Sequence, residues 1–305
     1  MARPEGIIRQ HYLSFDIEEH FQVSAFDSPM RRRYWDQFES RVESNTNRII
    51  EVLGITGTKA TFFILGWVAE RHAGMVRNLA EQGHEVASHG YAHQLISEQT
   101  PEEFREDVRK AKGILESIVG APVKGYRAPS FTITSKTRWA LPILVEEGHE
   151  YDSSIFPVLH GRYGMTGACP WPHHIKTDSG SLWEMPPSTI GLGRVRIPIA
   201  GGGYFRLIPY WLLRNCLRKV EGENHPLVMY LHPWELDPSQ PRMAGPLLSR
   251  FRHYVNLRQT QRRLEMLTRE FSFRPLGEEL VRVGKSVDQT ALQENALAKK
   301  YGRCP

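Results

Sequence analysis

Two histidines four residues apart, in the segment Ser88-His89-Gly-Tyr-Ala-His93, are side chains suited to binding a divalent metal ion. Neutral imidazole is a common metal ligand, and this spacing places both rings on one side of a single helical turn. A lone pair of this kind is more often solvated or packed than metal-bound. Its position directly after the apolar run at 85–87, which is typical of a buried strand, favours an active site.

A pair of carboxylates follows a second apolar run. The segment 11–15 ends in Asp16-Ile17-Glu18-Glu19. Alternate side chains of a strand point to the same face, so Asp16 and Glu18 share one side if the strand continues to residue 18. Two imidazoles and one carboxylate can bind a metal, and a second carboxylate can accept a proton from water.

Further ionisable residues also follow apolar runs. Arg127 comes after the run at 123–126, Asp152 after Tyr151, and His232 after the run at 227–231. The carboxyl ends of parallel strands converge on one rim in an α/β barrel. We therefore expect these residues to meet the histidine pair, with His232 able to give a proton to a leaving group.

The intervening elements predict a repeated βα arrangement. The segments 81–86 and 146–151 both indicate a helix end, a glycine and then a strand. Thr100-Pro-Glu-Glu103 is a capping box that begins a helix. After residue 156 the prolines and glycines between short apolar runs predict antiparallel or irregular structure, and 251–270 predicts one basic amphipathic helix. The glycines at 201–203 lack the spacing of a nucleotide site.

Composition limits the classes of protein that fit. The chain has 305 residues, 40% of them hydrophobic, which suffices for a sizeable core. Its net charge of +5 is mildly basic, and a solvated face is the simplest interpretation. An anionic glycan or a peripheral membrane contact stays open as an alternative. No nucleic-acid motif is present, and no apolar stretch is long enough to span a bilayer.

The cysteines and the N-terminus predict a compartment. Cys169, Cys216 and Cys304 are odd in number and far apart, so they fit neither a disulfide framework nor a thiolate zinc site. Any metal here then uses histidine and carboxylate ligands. The first ten residues lack the apolar segment of a secretion signal, and we expect a cytoplasmic protein.

Five motifs in order resemble the polysaccharide deacetylases with the NodB homology domain, also called carbohydrate esterase family 4. They cover residues from about 10 to 235 and are Ser14-Phe-Asp16-Ile-Glu18, Ser88-His89-Gly-Tyr-Ala-His93, Gly125-Tyr-Arg127-Ala-Pro129-Ser130, Tyr151-Asp152-Ser-Ser154 and Tyr230-Leu-His232-Pro-Trp234. The segments 201–206 and 232–237 further resemble the subgroup encoded among bacterial exopolysaccharide and exosortase loci.

The resemblance implies an α/β fold, an incomplete (β/α) barrel of the NodB deacetylase type, here with an irregular or antiparallel C-terminal extension. It implies one domain over 1–285, with barrel motifs at 10–235, an extension at about 160–285 and a polar tail at 286–305. It also implies metal-dependent hydrolysis of N-acetyl groups on amino sugars of a polysaccharide. The oligomeric state is left open.

The resemblance assigns roles to individual residues. His89 and His93 are metal ligands, Asp16 is the general base, and Arg127 holds that base. His232 is the general acid and Asp152 orients it, while the backbone N–H of Ser130 occupies the oxyanion position. We add Trp234 as a residue that stacks on sugar. The metal is zinc by default, with cobalt, nickel, manganese or iron as alternatives.

One departure from the family concerns the third ligand. The usual motif has adjacent aspartates, whereas Ile17 separates Asp16 from Glu18. The alternation of strand side chains favours Glu18 as the ligand, with Glu19 or a water as alternatives. The same variant resembles family members that cleave small cyclic amides and imides. A linear or cyclic non-sugar amide is therefore a second substrate class, and a non-catalytic glycan-binding module is a rival from another class.

Overall fold

In the computed structural model the described residues are 10–26, 29–161, 163–193, 195–278 and 280. Within them a curved sheet of nine strands has the order β10-β1-β2-β3-β4-β5-β7-β6, and β11 pairs with the start of β1. All its pairings are parallel except that of β6 with β7. β10 and β6 form the two edges of this order, which gives the incomplete (β/α) barrel that the sequence predicts.

The strands are β1 (His11–Ile17), β2 (Thr61–Ile64), β3 (Glu85–Ser88), β4 (Gly125–Tyr126), β5 (Tyr151–Asp152), β6 (His173–Thr177), β7 (Gly180–Glu184), β8 (Thr189–Leu192), β9 (Val195–Pro198), β10 (Val228–Leu231) and β11 (Phe273–Arg274). The helices are α1 (Pro29–Arg32), α2 (Val42–Thr56), α3 (Gly66–Arg71), α4 (Ala73–Glu81), α5 (Pro101–Val119), α6 (Ala140–Glu146), α7 (Gly202–Leu207), α8 (Tyr210–Gly222), α9 (Leu247–Tyr254) and α10 (Leu257–Glu270).

Strand β1 shows how the sequence divides the inside of the barrel from its outer layer. Leu13, Phe15 and Ile17 belong to the large core that includes the apolar faces of α2 and α4. The alternate residues Tyr12 and Ser14 point the other way, and Tyr12 packs in the inner cluster with Phe63 and Tyr151. The same alternation sends Asp16 to the interior at the carboxyl end of the strand.

The capping box at the start of α5 is confirmed. The Thr100 side chain accepts a hydrogen bond from the Glu103 N–H, and the Glu103 side chain accepts one from the Thr100 N–H. The buried face of the helix consists of Phe104, Val108, Ala111 and Leu115, which recur at helical spacing.

The predicted basic helix over 251–270 is two helices. α9 ends at Tyr254, and Asn256 adopts φ 54° before α10 begins. This left-handed conformation interrupts the helical hydrogen bonds, and asparagine tolerates it better than most residues do. The antiparallel extension is present as the β6–β7 pair and the β8–β9 pair.

Two expectations about particular segments have different outcomes. The expectation that the cysteines form no disulfide is wrong for Cys169, which is disulfide-bonded, whereas Cys216 is free. The predicted polar tail at 286–305 lies outside the described residues.

Within the part of the chain that the structure describes, no helix combines the length and the apolar character needed to cross a bilayer.

The fold predicts a large stability cost for truncating Phe15. Its ring is fully buried and stacks on Phe62 at 5.3 Å, so Phe15→Ala should lower the free energy of unfolding by about 3–5 kcal/mol. The exposed Leu212 is the control, since Leu212→Ala should change it by no more than about 0.5 kcal/mol. Urea unfolding followed by circular dichroism measures both, and equal losses would contradict this division of core and surface.

Candidate active site

Three buried side chains can hold one metal ion. One ligand atom each from Glu18, His89 and His93 lies within 4.8 Å of the other two, which suits two imidazoles and one carboxylate around a single ion. His93 Nε2 faces Glu18 Oε2 at 2.8 Å. Glu18 directly follows β1, His89 directly follows β3, and the two strands flank β2 in the sheet.

The segment that carries both histidines is a loop and not the helical turn that their spacing suggests. Gly90 has φ 75° and His93 has φ 51°, so the backbone leaves the helical region at two points. Asp107 on α5 fixes the loop by accepting a hydrogen bond from the Tyr91 N–H at 2.9 Å. Sequence reasoning missed Asp107, because nothing in its spacing relates α5 to this loop.

The hydrogen bond made by Nδ1 fixes the orientation of the His89 ring. Nδ1 lies 2.8 Å from the backbone oxygen of Arg127, and because a carbonyl only accepts, Nδ1 carries the proton. Nε2 is then free of hydrogen and available as a ligand. Burial lowers the pKa of His89 to about 4, which keeps the ring neutral as metal binding requires.

Glu18 is held in its charged form. Burial raises the pKa of this carboxyl, but His93 and the other nearby imidazoles outweigh burial and bring the pKa down to about 2. Its second oxygen, Oε1, accepts a hydrogen bond from Trp234 Nε1 at 3.1 Å. A fixed, ionised and buried carboxylate beside two imidazoles is a donor set that zinc and similar divalent ions accept.

Glu19, the alternative third ligand, points elsewhere. Its carboxylate accepts hydrogen bonds from the N–H groups of Arg41 and Val42 and from the Ser40 hydroxyl at 2.5 Å. These groups lie at the N-terminus of α2, where a negative charge is stabilising. The structure therefore brings Glu18, and not Glu19, to the two histidines.

Arg127 and Asp16 form a fully buried ion pair. Arg127 Nη1 donates to Asp16 Oδ1 at 2.6 Å and to Ser14 Oγ at 2.8 Å. Nε and Nη2 donate to the backbone oxygen and hydroxyl of Ser153, and the guanidinium lies over the Phe63 ring at 4.1 Å. This set of partners fixes the orientation of the Asp16 carboxylate.

His232 lies across the same site from the other histidines. Its Nε2 is 3.9 Å from Asp16 Oδ2 and 3.7 Å from Glu18 Oε1. Its Nδ1 lies 2.6 Å from Glu235 Oε1. Burial lowers the pKa of His232, but the hydrogen bond to Glu235 and the surrounding carboxylates outweigh burial and raise it to about 9.

Glu235, and not Asp152, is therefore the carboxylate that orients His232. Glu235 is itself paired with the buried Arg206 at 2.7 Å. A side chain at Gly202 would come within 1.6 Å of Glu235 Oε2, so a glycine is needed there. The signal for Glu235 was present in the sequence as a carboxylate three residues after His232.

Asp152 does not lie beside His232, the residue that it was predicted to orient. It is fully buried beside Glu184, its partner across β5 and β7, and accepts from the Ser154 hydroxyl. Burial raises the pKa of Asp152 to about 6. Ser154 also accepts from the Ala128 N–H, so Asp152 supports the segment that follows Arg127.

Trp234 also differs from its predicted use. Its ring stacks with His232 at 5.0 Å and with His253 at 4.1 Å. The residue is buried and its N–H is directed at Glu18. It therefore positions Glu18, the candidate ligand, and leaves little ring surface on which a sugar could stack.

Ser130 is the remaining predicted residue, and His173 and His174 form a second pair of neighbouring histidines. Ser130 lines the cavity described below with φ 52°, and its hydroxyl lies 2.6 Å from that of Ser24. His173 lies on β6, where its Nδ1 bonds the backbone oxygen of Trp171. Neither His173 nor His174 joins the one metal-binding group found among the described residues.

One cavity of about 610 Å³ brings together the central groups of the site. Asp16, Glu18, His89, His93 and His232 line it. Its walls include residues of the extension, among them Gly203 on α7 and Ser249 and Arg252 on α9. A cavity of this size admits a ligand as large as one or two sugar units.

Comparisons with known proteins agree with this architecture. Residues 27–143 match the polysaccharide deacetylase family model, and residues 153–280 match a domain of unknown function, DUF3473. A peptidoglycan-N-acetylglucosamine deacetylase of Bacillus cereus is 32% identical over 96 residues, which are 31% of this chain and 35% of the relative. The chain spans less than half of the length of such curated relatives.

Two solved structures have the same fold. One is a Mycobacterium smegmatis protein assigned to the polysaccharide deacetylases, 19% identical, with a TM-score of 0.57 and coverage of 90% of this chain and 96% of that one. The other is the PuuE allantoinase, 13% identical, with a TM-score of 0.57 and coverage of 96% and 91%. Identities this low describe the fold alone. Residues 27–143 of this chain are therefore similar to the polysaccharide deacetylases, and the solved structures support the same fold.

Proposed function

We propose that this protein is a metal-dependent deacetylase that hydrolyses the N-acetyl groups of amino sugars in a polysaccharide. The observation that carries the proposal is the convergence of three kinds of group in one cavity. These are the ligand group Glu18, His89 and His93, the Asp16–Arg127 pair, and His232. Hydrolysis of an amide needs an activated water, a base and an acid, and each has a candidate here.

A divalent metal held by Glu18, His89 and His93 would activate water and polarise the acetamide oxygen. Asp16 is placed to accept the proton of the attacking water, because its second oxygen faces His232 and the ligand group. Arg127 fixes the Asp16 carboxylate in one orientation. The Ser130 N–H is our candidate donor to the developing oxyanion.

His232 supplies the proton that the leaving amine needs. The departing nitrogen is a poor leaving group unless it is protonated. The charge of Glu235 holds His232 in its protonated form at neutral pH, with Nε2 directed towards Asp16 and Glu18. His232 is thus already protonated before the substrate binds.

Our proposals for the polymer and for its cellular setting rest on the sequence. We retain bacterial exopolysaccharide biosynthesis, on the resemblance of 201–206 and 232–237 to that subgroup, and a cytoplasmic location as proposals. The spacing of Asp16 and Glu18 favours a second candidate, hydrolysis of a non-sugar amide or cyclic imide. Release of acetate from an N-acetylated oligosaccharide supports the first activity, and ring opening of a cyclic imide without acetate release supports the second. A glycan-binding module would bind the oligosaccharide and do neither.

We predict about one divalent metal ion per chain. His89→Ala should lose most of the bound metal, because it removes one of three ligands. His173→Ala is the matched control, since His173 lies outside the ligand group and should keep its metal. Elemental analysis of the purified proteins measures the content. Equal metal in the wild type and His89→Ala would refute the ligand assignment.

Asp16→Asn should keep the metal and lose activity. The amide cannot accept a proton, so the rate of acetate release should fall by roughly 10² to 10⁴. Glu18→Ala should lose metal and activity together. If Asp16→Asn instead released the metal, the two carboxylates would have to exchange roles.

The pH profile should show the influence of Glu235 on His232. Activity requires protonated His232, so it falls as the pH rises above the pKa of this residue. Glu235→Gln removes a negative charge that raises this pKa, and the alkaline limb of kcat/KM should move to lower pH. Asp152→Asn is the comparison, since Asp152 is bonded elsewhere and the limb should stay in place. A shift with Asp152→Asn alone would restore Asp152 as the orienting residue.

A further inference from the structure

We propose that an apolar and basic surface around the mouth of the cavity docks on an anionic phospholipid bilayer. This rim surface consists of Leu159 and of the outer face of α9, with Leu247, Leu248 and Phe251. These four side chains are 80%, 81%, 60% and 58% exposed. Large apolar side chains exposed together commonly mark an interaction site.

The rim surface borders the opening of the active-site cavity. His160 and Gly161, which follow Leu159, line the cavity on one side. Ser249 and Arg252 of α9 line it on another. A partner that contacts Leu159 and α9 together therefore lies against the cavity mouth.

The inner face of α9 is anchored to the active site. The buried His253 stacks on Trp234 at 4.1 Å and lies 2.8 Å from Gln240 Oε1. Arg206 donates to the backbone oxygen of His253 at 2.9 Å. The exposed leucines are thus held outward by a fixed helix, and among the described residues they remain largely uncovered.

The positive charge around α9 indicates which kind of partner the rim surface binds. Residues 238–264 contain no aspartate or glutamate, and their exposed cationic side chains are Arg242, Arg250, Arg252, Arg258 and Arg262. The segment 153–177, which carries Leu159, also lacks carboxylates. A surface that combines leucine and phenylalanine with arginine fits the interface of a bilayer that contains anionic lipid.

A second copy of this chain fits the surface less well. A symmetric dimer places the same patch of both copies in contact. The arginines of α9 would then face one another without carboxylates from either 238–264 or 153–177, and like charges opposed across an interface are unfavourable. The bilayer therefore explains both the apolar and the basic character of the rim surface.

Docking in this orientation would turn the cavity mouth towards the membrane. If the proposed deacetylase function is correct, the natural substrate is a glycan attached to a membrane lipid or lying at the membrane surface. This conclusion about substrate rests on the proposed function, whereas the docking itself does not.

Co-sedimentation of the purified full chain with lipid vesicles tests the proposal. The chain should bind vesicles that contain phosphatidylglycerol and not vesicles of phosphatidylcholine alone, and added salt should weaken binding. Leu248→Ser combined with Phe251→Ser should lower the partition coefficient by about tenfold or more. Arg250→Gln should lower it by about fivefold.

Ile55→Ser provides the matched control. Ile55 is 58% exposed at the C-terminus of α2, which runs back towards the amino ends of the strands, away from the cavity mouth. The Ile55→Ser protein should bind vesicles as the wild type does. Equal loss with Ile55→Ser, or no binding of the wild type to anionic vesicles, would overturn the proposal. So would a dimer that Leu248→Ser dissociates, if the wild type does not bind vesicles.

The same proteins separate docking from catalysis. Leu248→Ser with Phe251→Ser should deacetylate a soluble oligosaccharide at the wild-type rate, because neither side chain lines the cavity. Vesicle binding without any deacetylation would refute the proposed function and leave the docking surface in place. Deacetylation without vesicle binding would refute the docking surface and leave the proposed function in place.

Discussion

The buried ion pair of Arg127 with Asp16 is the interaction on which the rest of the site depends. Its guanidinium bonds Asp16 and Ser14 of β1 and Ser153 after β5, while its backbone oxygen orients His89. One residue thus fixes the candidate base and one candidate ligand at once. Losing either member of such a pair leaves a buried charge without a partner, which is strongly unfavourable.

A second buried ion pair organises the opposite wall. Arg206 on α7 holds Glu235, and Glu235 holds His232. Arg206 also donates to backbone oxygens at 253 and 255, which connects the pair to the junction between α9 and α10. The extension therefore contributes to the candidate site, because Arg206 pairs with Glu235, and Glu235 raises the pKa of His232.

The electrostatics of the cavity suit a positive ion. Two carboxylates and three imidazoles lie together, and burial keeps His89 neutral while His232 stays protonated. The first can bind a metal and the second can give a proton. Residues of one type acquire different roles because one ring donates to a neutral carbonyl and the other to a carboxylate.

The sequence by itself determined the strand ends that carry Asp16, His89 and Arg127 and the capped start of α5, since alternation and local capping depend only on neighbouring residues. The incomplete barrel was implied by the resemblance of five ordered motifs to a known family. Tertiary structure decided what local spacing does not encode. In the folded chain Glu19 binds the N-terminus of α2, and Glu235 rather than Asp152 lies beside His232. The Trp234 N–H donates to Glu18. Tertiary structure also made the His89–His93 segment a loop held by Asp107. Each of these depends on which groups from distant segments meet in the folded chain.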